Sequence, residues 1–292
     1  MTRLPILILT LCLVAPAVAQ TAPTVTATPL QGPLHLLQGR GGNVVASVGE
    51  DGVLLVDDDF AALAPAYGVA LAKLAGEGAT PAYVLNTHWH TDHAGGNAYW
   101  GERKATIVAH RNVRVRMSTR QEMKALGRVV EPSPSEALPV VTYGDNMGLY
   151  FNGMDIDLQH YPAGHTDGDS IIYFGAQNVV HMGDHFFKDR FPFVDLGSGG
   201  SVAGYIANVE AVLARVDDDT VIVPGHGTIA ARGDLERFHA MLLATRKQVR
   251  EALAAGSSVD DVVNAGLGEQ WASWGSGFVK ESQWIMTLAA GR

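Results

Sequence analysis

The chain has 292 residues, of which 47% are hydrophobic and 17% charged, with 33 glycines and a formal net charge of −9. That composition supplies a sizeable core and excludes a disordered or coiled-coil protein; its glycine content suits a compact, turn-rich α/β fold. The acidic balance argues against a nucleic-acid backbone as ligand, because phosphate binding needs clustered Lys and Arg.

The first residues read as a targeting segment. Arg3 supplies a positive start, residues 4–14 are apolar apart from Pro5 and Thr10, and Ala17-Val18-Ala19 has the small-x-small form of a cleavage site. This is the pattern of a secretory signal peptide, and the run is too short to span a bilayer. We therefore expect a signal peptide over 1–19, a single domain over 20–292 and a periplasmic or secreted product without a membrane anchor. Cys12, the only cysteine, leaves with the signal, so the mature chain is expected to use neither a disulfide nor a thiolate ligand.

Hairpin signals follow. Residues 34–37, 43–48 and 53–56 read as strands separated by Gly41-Gly42 and Asp51-Gly52 turns. The third ends in Asp57-Asp58-Asp59, which suits either a solvated turn or, for Asp57, a carboxylate turned back to hold a neighbouring loop. Residues 61–75 predict a helix stopped by Gly76 and Gly78, with Pro65 tolerated in its first turn. Residues 82–86 and 105–109 predict buried strands and 110–118 a helix. The stretch 121–138 carries no clear pattern and reads as a mobile segment. Strands are expected at 140–143, 149–151, 154–160, 170–174, 178–182 and 220–223, a helix at 201–216, and a mostly helical tail from 235.

Between the strand at 82–86 and a helix starting near Asn97 lies a loop, Thr87-His88-Trp89-His90-Thr91-Asp92-His93. Imidazole and carboxylate are the groups that zinc takes. Further candidates stand at later strand ends: His165 in Pro162-Ala163-Gly164-His165-Thr166, Asp184 in Gly183-Asp184-His185, and His226 in Pro224-Gly225-His226-Gly227. Asp184 ends a buried strand, where an unpaired carboxylate is costly. Strand ends gather on one edge of a sheet, so His88, His90, Asp92, His93, His165, Asp184 and His226 can converge. They are too many for one tetrahedral zinc and about right for two ions sharing a carboxylate.

These motifs, in this order across the mature chain, resemble the metallo-β-lactamase superfamily, whose His-x-His-x-Asp-His signature stands here as His88 to His93. The resemblance implies an α/β fold of the αββα sandwich type, with the metal site at one edge of two sheets. It implies one zinc on His88, His90 and His165, a second on Asp92, His93 and His226, and Asp184 bridging, with Asp57 as the strand-end aspartate behind them. It implies a dinuclear zinc hydrolase acting on a small-molecule ester, thioester, lactone or lactam through a metal-bound hydroxide, which Asp92 would steer.

Asp at 184 is similar to the glyoxalase II and lactonase branches; Phe187 stands where lactonases often carry Tyr. β-Lactam hydrolysis is the alternative, as a main or side activity. A mononuclear iron persulfide dioxygenase and a non-catalytic zinc module are the other classes, separable by metal analysis and a substrate screen. Lys188 is a candidate grip for a substrate carboxylate or an ordinary surface lysine, and His185 either lines the pocket or is structural. His35, His110, His160, His181 and His239 are expected to be structural.

Overall fold

The structure, a computed structural model, describes residues 24–291; the signal segment expected at 1–19 lies outside the described residues. The first half runs β1 (Thr26–Pro29), β2 (Leu34–Gln38), β3 (Val44–Gly49), β4 (Gly52–Val56), α1 (Ala64–Ala75), β5 (Pro81–Asn86), α2 (Thr91–Ala94), α3 (Asn97–Glu102), β6 (Thr106–His110), α4 (Arg111–Met117), β7 (Gln121–Met123), β8 (Arg128–Val130) and β9 (Val141–Tyr143). The second half runs β10 (Asn146–Phe151), β11 (Met154–His160), β12 (Ser170–Phe174), β13 (Val179–His181), α5 (Val202–Leu213), β14 (Val221–Val223), α6 (Arg232–Ala254), α7 (Val259–Ala265) and α8 (Glu281–Ala290).

Strands β1-β2-β3-β4-β5-β6-β9 form a seven-stranded sheet in that order, and β10 to β14 a five-stranded sheet in chain order. Side chains alternate across a strand, and three apolar layers result. Leu36, Val56 and Leu85 meet Ile156, Ile172 and Phe174 between the sheets. Leu37, Leu55 and Val84 point the other way, onto Tyr67 and Leu71 of α1 and Trp100 of α3. Ile171, Val180 and Ile222 pack outward on Val209 of α5, Phe238 of α6 and Trp284 of α8. The fold is an αββα sandwich. Burial on both faces explains why residues 53–56 are continuously apolar rather than alternating.

Strands β4, β5, β6 and β9 are mutually parallel, and so are β13 and β14. Their carboxyl ends therefore lie along one edge of each sheet, and the loops leaving them carry Asp57, His88 to His93, Asp184 and His226. In α/β sheets ligand sites form at such ends.

Two local expectations change. The signature is not all loop: Asp92 and His93 sit on the one-turn helix α2, which starts after an extended His90 whose carbonyl accepts from His93 and Ala94. The patternless stretch 121–138 contains a hairpin, β7 paired antiparallel with β8 through Gln121↔Val130. Its strands are three residues long, too short for periodicity to register.

Candidate metal centre

Asp57, Asp58 and Asp59 are all fully buried, which rules out a solvated turn. Each props a different segment. Asp57, in the left-handed region at φ 60°, turns its carboxylate under the signature loop. Its Oδ1 accepts from the Thr87 N–H at 2.7 Å; its Oδ2 accepts from the Thr87 hydroxyl at 2.8 Å and lies 2.7 Å from His93 Nδ1. Asp58 accepts from the Gly96 N–H at 2.8 Å, fixing the exit of α2, and burial raises its pKa. Asp59 accepts from the Tyr67 hydroxyl and from the Arg40 N–H.

The seven sequence candidates come together in two groups. The ligand atoms of His88, His90, His165 and Asp184 lie within 4.8 Å of one another, and so do those of Asp92, His93 and His226. Asp184 faces both. Its Oδ2 is 3.4 Å from His165 Nε2 and 3.8 Å from His88 Nε2. Its Oδ1 is 3.0 Å from His93 Nε2 and 3.4 Å from His226 Nε2, which is also 3.4 Å from Asp92 Oδ2. The approach is so tight that a Cβ at Gly225 would collide with Asp184 Oδ1, and one at Gly42 with the His93 ring.

Four of the imidazoles are tied at their outer nitrogen. His93 Nδ1 meets Asp57, and His165 Nδ1 donates to the Phe193 carbonyl at 2.7 Å. His88 Nδ1 meets the Thr87 hydroxyl at 3.0 Å, and His90 Nε2 meets Asp195 Oδ2 at 3.0 Å. Such partners select the tautomer and aim the other nitrogen inward. Asp195 escaped the sequence reading. It lies in an irregular loop with no motif around it, and the Ser198 hydroxyl, donating at 2.7 Å, holds its carboxylate in place.

The inward atoms fit a cation better than they fit one another. His88 Nε2 is buried with no hydrogen-bond partner among the described residues, and His165 Nε2 and His90 Nδ1 face each other at 2.8 Å. Burial and the surrounding imidazoles depress the His88 pKa, and burial lowers that of His165 to about 4, against the pull of Asp184. Burial opposes charge on Asp184, yet His93, His226 and His165 hold its carboxyl well below the usual range. Burial likewise opposes charge on His226, and Asp184 and Asp92 overcome it, raising its pKa to about 9. Imidazole and carboxylate donors in this arrangement suit a divalent metal ion.

Two sequence candidates lie apart. Lys188 donates to the Ile229 carbonyl at 2.8 Å and pairs with Asp234 at 2.9 Å, so a substrate carboxylate would compete for a committed ammonium. His185, buried behind Asp184, accepts from the Asn208 amide at 3.0 Å and stacks on Tyr205. His110 caps α4 and stacks on His160 at 3.7 Å, away from the centre. Phe187 stacks on His226 at 5.0 Å.

Above the two groups opens a cavity of about 330 Å³. His90, Asp92, Asp184 and His226 reach it, Trp89, Phe187 and Phe193 wall it, and Met123, Leu126 and Val130 of the hairpin segment close one side.

An uncharacterised protein of Mycobacterium tuberculosis is 29% identical over 181 residues, covering 56% of this chain and 76% of its own. A hydroxyacylglutathione hydrolase of Polaromonas sp. is 28% identical over 147 residues, covering 50% of this chain and 48% of that protein. Among solved structures, the DIM-1 metallo-β-lactamase shares the fold at a TM-score of 0.61 and 14% identity, over 75% of this chain and 97% of that one. The metallo-β-lactamase superfamily model matches residues 37–226, which span all seven converging side chains and Asp195, and the chain belongs to that superfamily.

Proposed function

We propose that the chain is a zinc-dependent hydrolase of a carbonyl ester, thioester, lactone or lactam. The observation that carries this reading is the convergence of seven ligating side chains, in two groups facing one carboxylate, beneath a cavity walled by aromatic side chains and bordered by arginines. One zinc would sit on His88, His90 and His165 and another on Asp92, His93 and His226, with Asp184 between them. Bound zinc lowers the pKa of water to about 7 and polarises a carbonyl.

The chain's own residues do the rest. Asp92, with 27% of its side chain exposed against 5% for Asp184, is the carboxylate open to the cavity and the one placed to orient an attacking water and take its proton. Trp89, Phe187 and Phe193 exclude bulk water around the scissile carbonyl, which strengthens every charge interaction inside. The likeness to a hydroxyacylglutathione hydrolase supports the ester or thioester end of the range.

A hydrolysis screen of the zinc-loaded protein over esters, thioesters, lactones and β-lactams tests the reading. Turnover of at least one class, abolished by chelation and restored by zinc, is expected. Iron in the purified protein with oxygen uptake on a persulfide would overturn it. The N-terminal pattern supports export: the mature protein should begin at or near Gln20, and N-terminal sequencing of a periplasmic fraction that returns Met1 would refute that.

A further inference from the structure

We propose that the substrate of this centre carries a long unbranched acyl chain, taken by a groove that continues from the cavity along α8. The inference rests on the hydrolase reading above and names its substrate class. Phe193 is the link. Its ring lies 5.9 Å from the rings of both His90 and His165, and it also meets Phe278 edge to face at 6.2 Å.

Leu126, Phe193 and Phe278 line the cavity over the centre, and the same three line an adjacent cavity of about 310 Å³ whose walls also include Leu196 and Met286. Among the described residues no charged side chain lines this second space, whereas Arg40, Arg128 and Arg190 all border the first. Phe278 is 66% exposed, Met286 49% and Leu196 38%. Scattered exposed apolar residues are ordinary; a contiguous apolar strip opening into a reaction cavity is the form of a ligand groove. Three cavities share lining residues with the first; two of them are bordered by Arg40, and the one beyond Phe193 is the uncharged side on which an acyl group with its carbonyl at His90 and Asp184 can extend. A short acyl group ends before it, and an anionic tail finds no partner in it.

A series of p-nitrophenyl esters from acetate to decanoate tests this on the zinc-loaded protein. Burying a methylene is expected to raise kcat/KM about fourfold until the groove is filled. Met286→Asp, at an exposed position of α8, should lower the decanoate-to-acetate ratio at least tenfold, and Leu196→Asp should do the same should the first variant fail to fold. Calorimetry of the purified protein with decanoate and with acetate gives a readout independent of turnover: decanoate binds more tightly, and Met286→Asp removes the difference. A chain-length profile that is flat, or unchanged in both variants, overturns the groove while leaving the hydrolase intact. Decanoate binding without hydrolysis of any ester upholds the groove and removes the hydrolase reading. A concentration-dependent dimer that Met286→Asp dissociates would assign the strip to a second copy of the chain and overturn the proposal.

Discussion

Asp195 lies 105 positions beyond His90, and its Oδ2 stands 3.0 Å from His90 Nε2. Burial opposes charge on this carboxylate, but the hydrogen bonds from His90 and Ser198 lower its pKa to about 2. An ionised carboxylate on Nε2 draws the proton there, so the Nδ1 lone pair turns toward His165 and the centre. Asp195→Ala should therefore weaken zinc binding roughly 10- to 100-fold, read by competition with a chromogenic chelator. Asp195→Asn, which keeps an acceptor, should recover part of the loss. Unchanged affinity in both variants would mean that His90 needs no such orienting partner.

Asp184 presents one oxygen to each group of ligands. Its replacement by Ala should reduce metal content from two zinc ions per chain to one or fewer, measured by elemental analysis after equilibration with zinc. Wild-type protein that never exceeds one ion per chain would contradict the dinuclear arrangement.

Asp57 supports folding as well as the site. Asp57→Ala leaves the Thr87 N–H, the Thr87 hydroxyl and the His93 Nδ1–H buried without their acceptor. Each orphaned group costs about 1–3 kcal/mol, so urea unfolding should show a loss of roughly 3 kcal/mol or more with the m-value unchanged. A loss below about 1 kcal/mol would show that water or a shifted neighbour replaces the carboxylate.

Acid should destabilise the domain through His110. Burial, His160 stacked upon it and Arg111 lower its pKa from 6.5 to about 4, against the pull of Asp167. The unfolded chain then takes up a proton near pH 6.5 that the folded chain refuses. The contribution of this group is complete above about 6.5 and is lost as pH falls toward 4. His110→Asn, which keeps an acceptor for the Asn112 N–H, should flatten the fall in melting temperature between pH 7 and pH 5. An identical fall in wild type and variant would exclude His110 as a source.

What the sequence determined by itself is what short-range chemistry can carry. The run at 53–56, the strand before the signature and the turns at Gly164, Gly183 and Gly225 mark strand ends within a few residues. The density of His and Asp at those ends names a metal without any knowledge of partners. The apolar runs mark the strands and helices one by one; the layer order of the sandwich was legible only through the family resemblance that the His and Asp motifs carry.

The tertiary structure alone decided the rest, because the deciding contacts span long separations and leave no local mark. Nothing near Asp195 announces that it reaches His90. Three consecutive aspartates suit a solvated turn as well as an Asp57 turned back onto the loop, and only the folded chain, which buries all three against Thr87, Gly96 and Tyr67, decides. Lys188 looks available until Asp234 and the Ile229 carbonyl occupy its ammonium. The β7–β8 hairpin is too short to show a period, and the groove past Phe193 exists only once the segment bearing Leu126 and helix α8, 155 positions apart at Leu126 and Glu281, lie side by side.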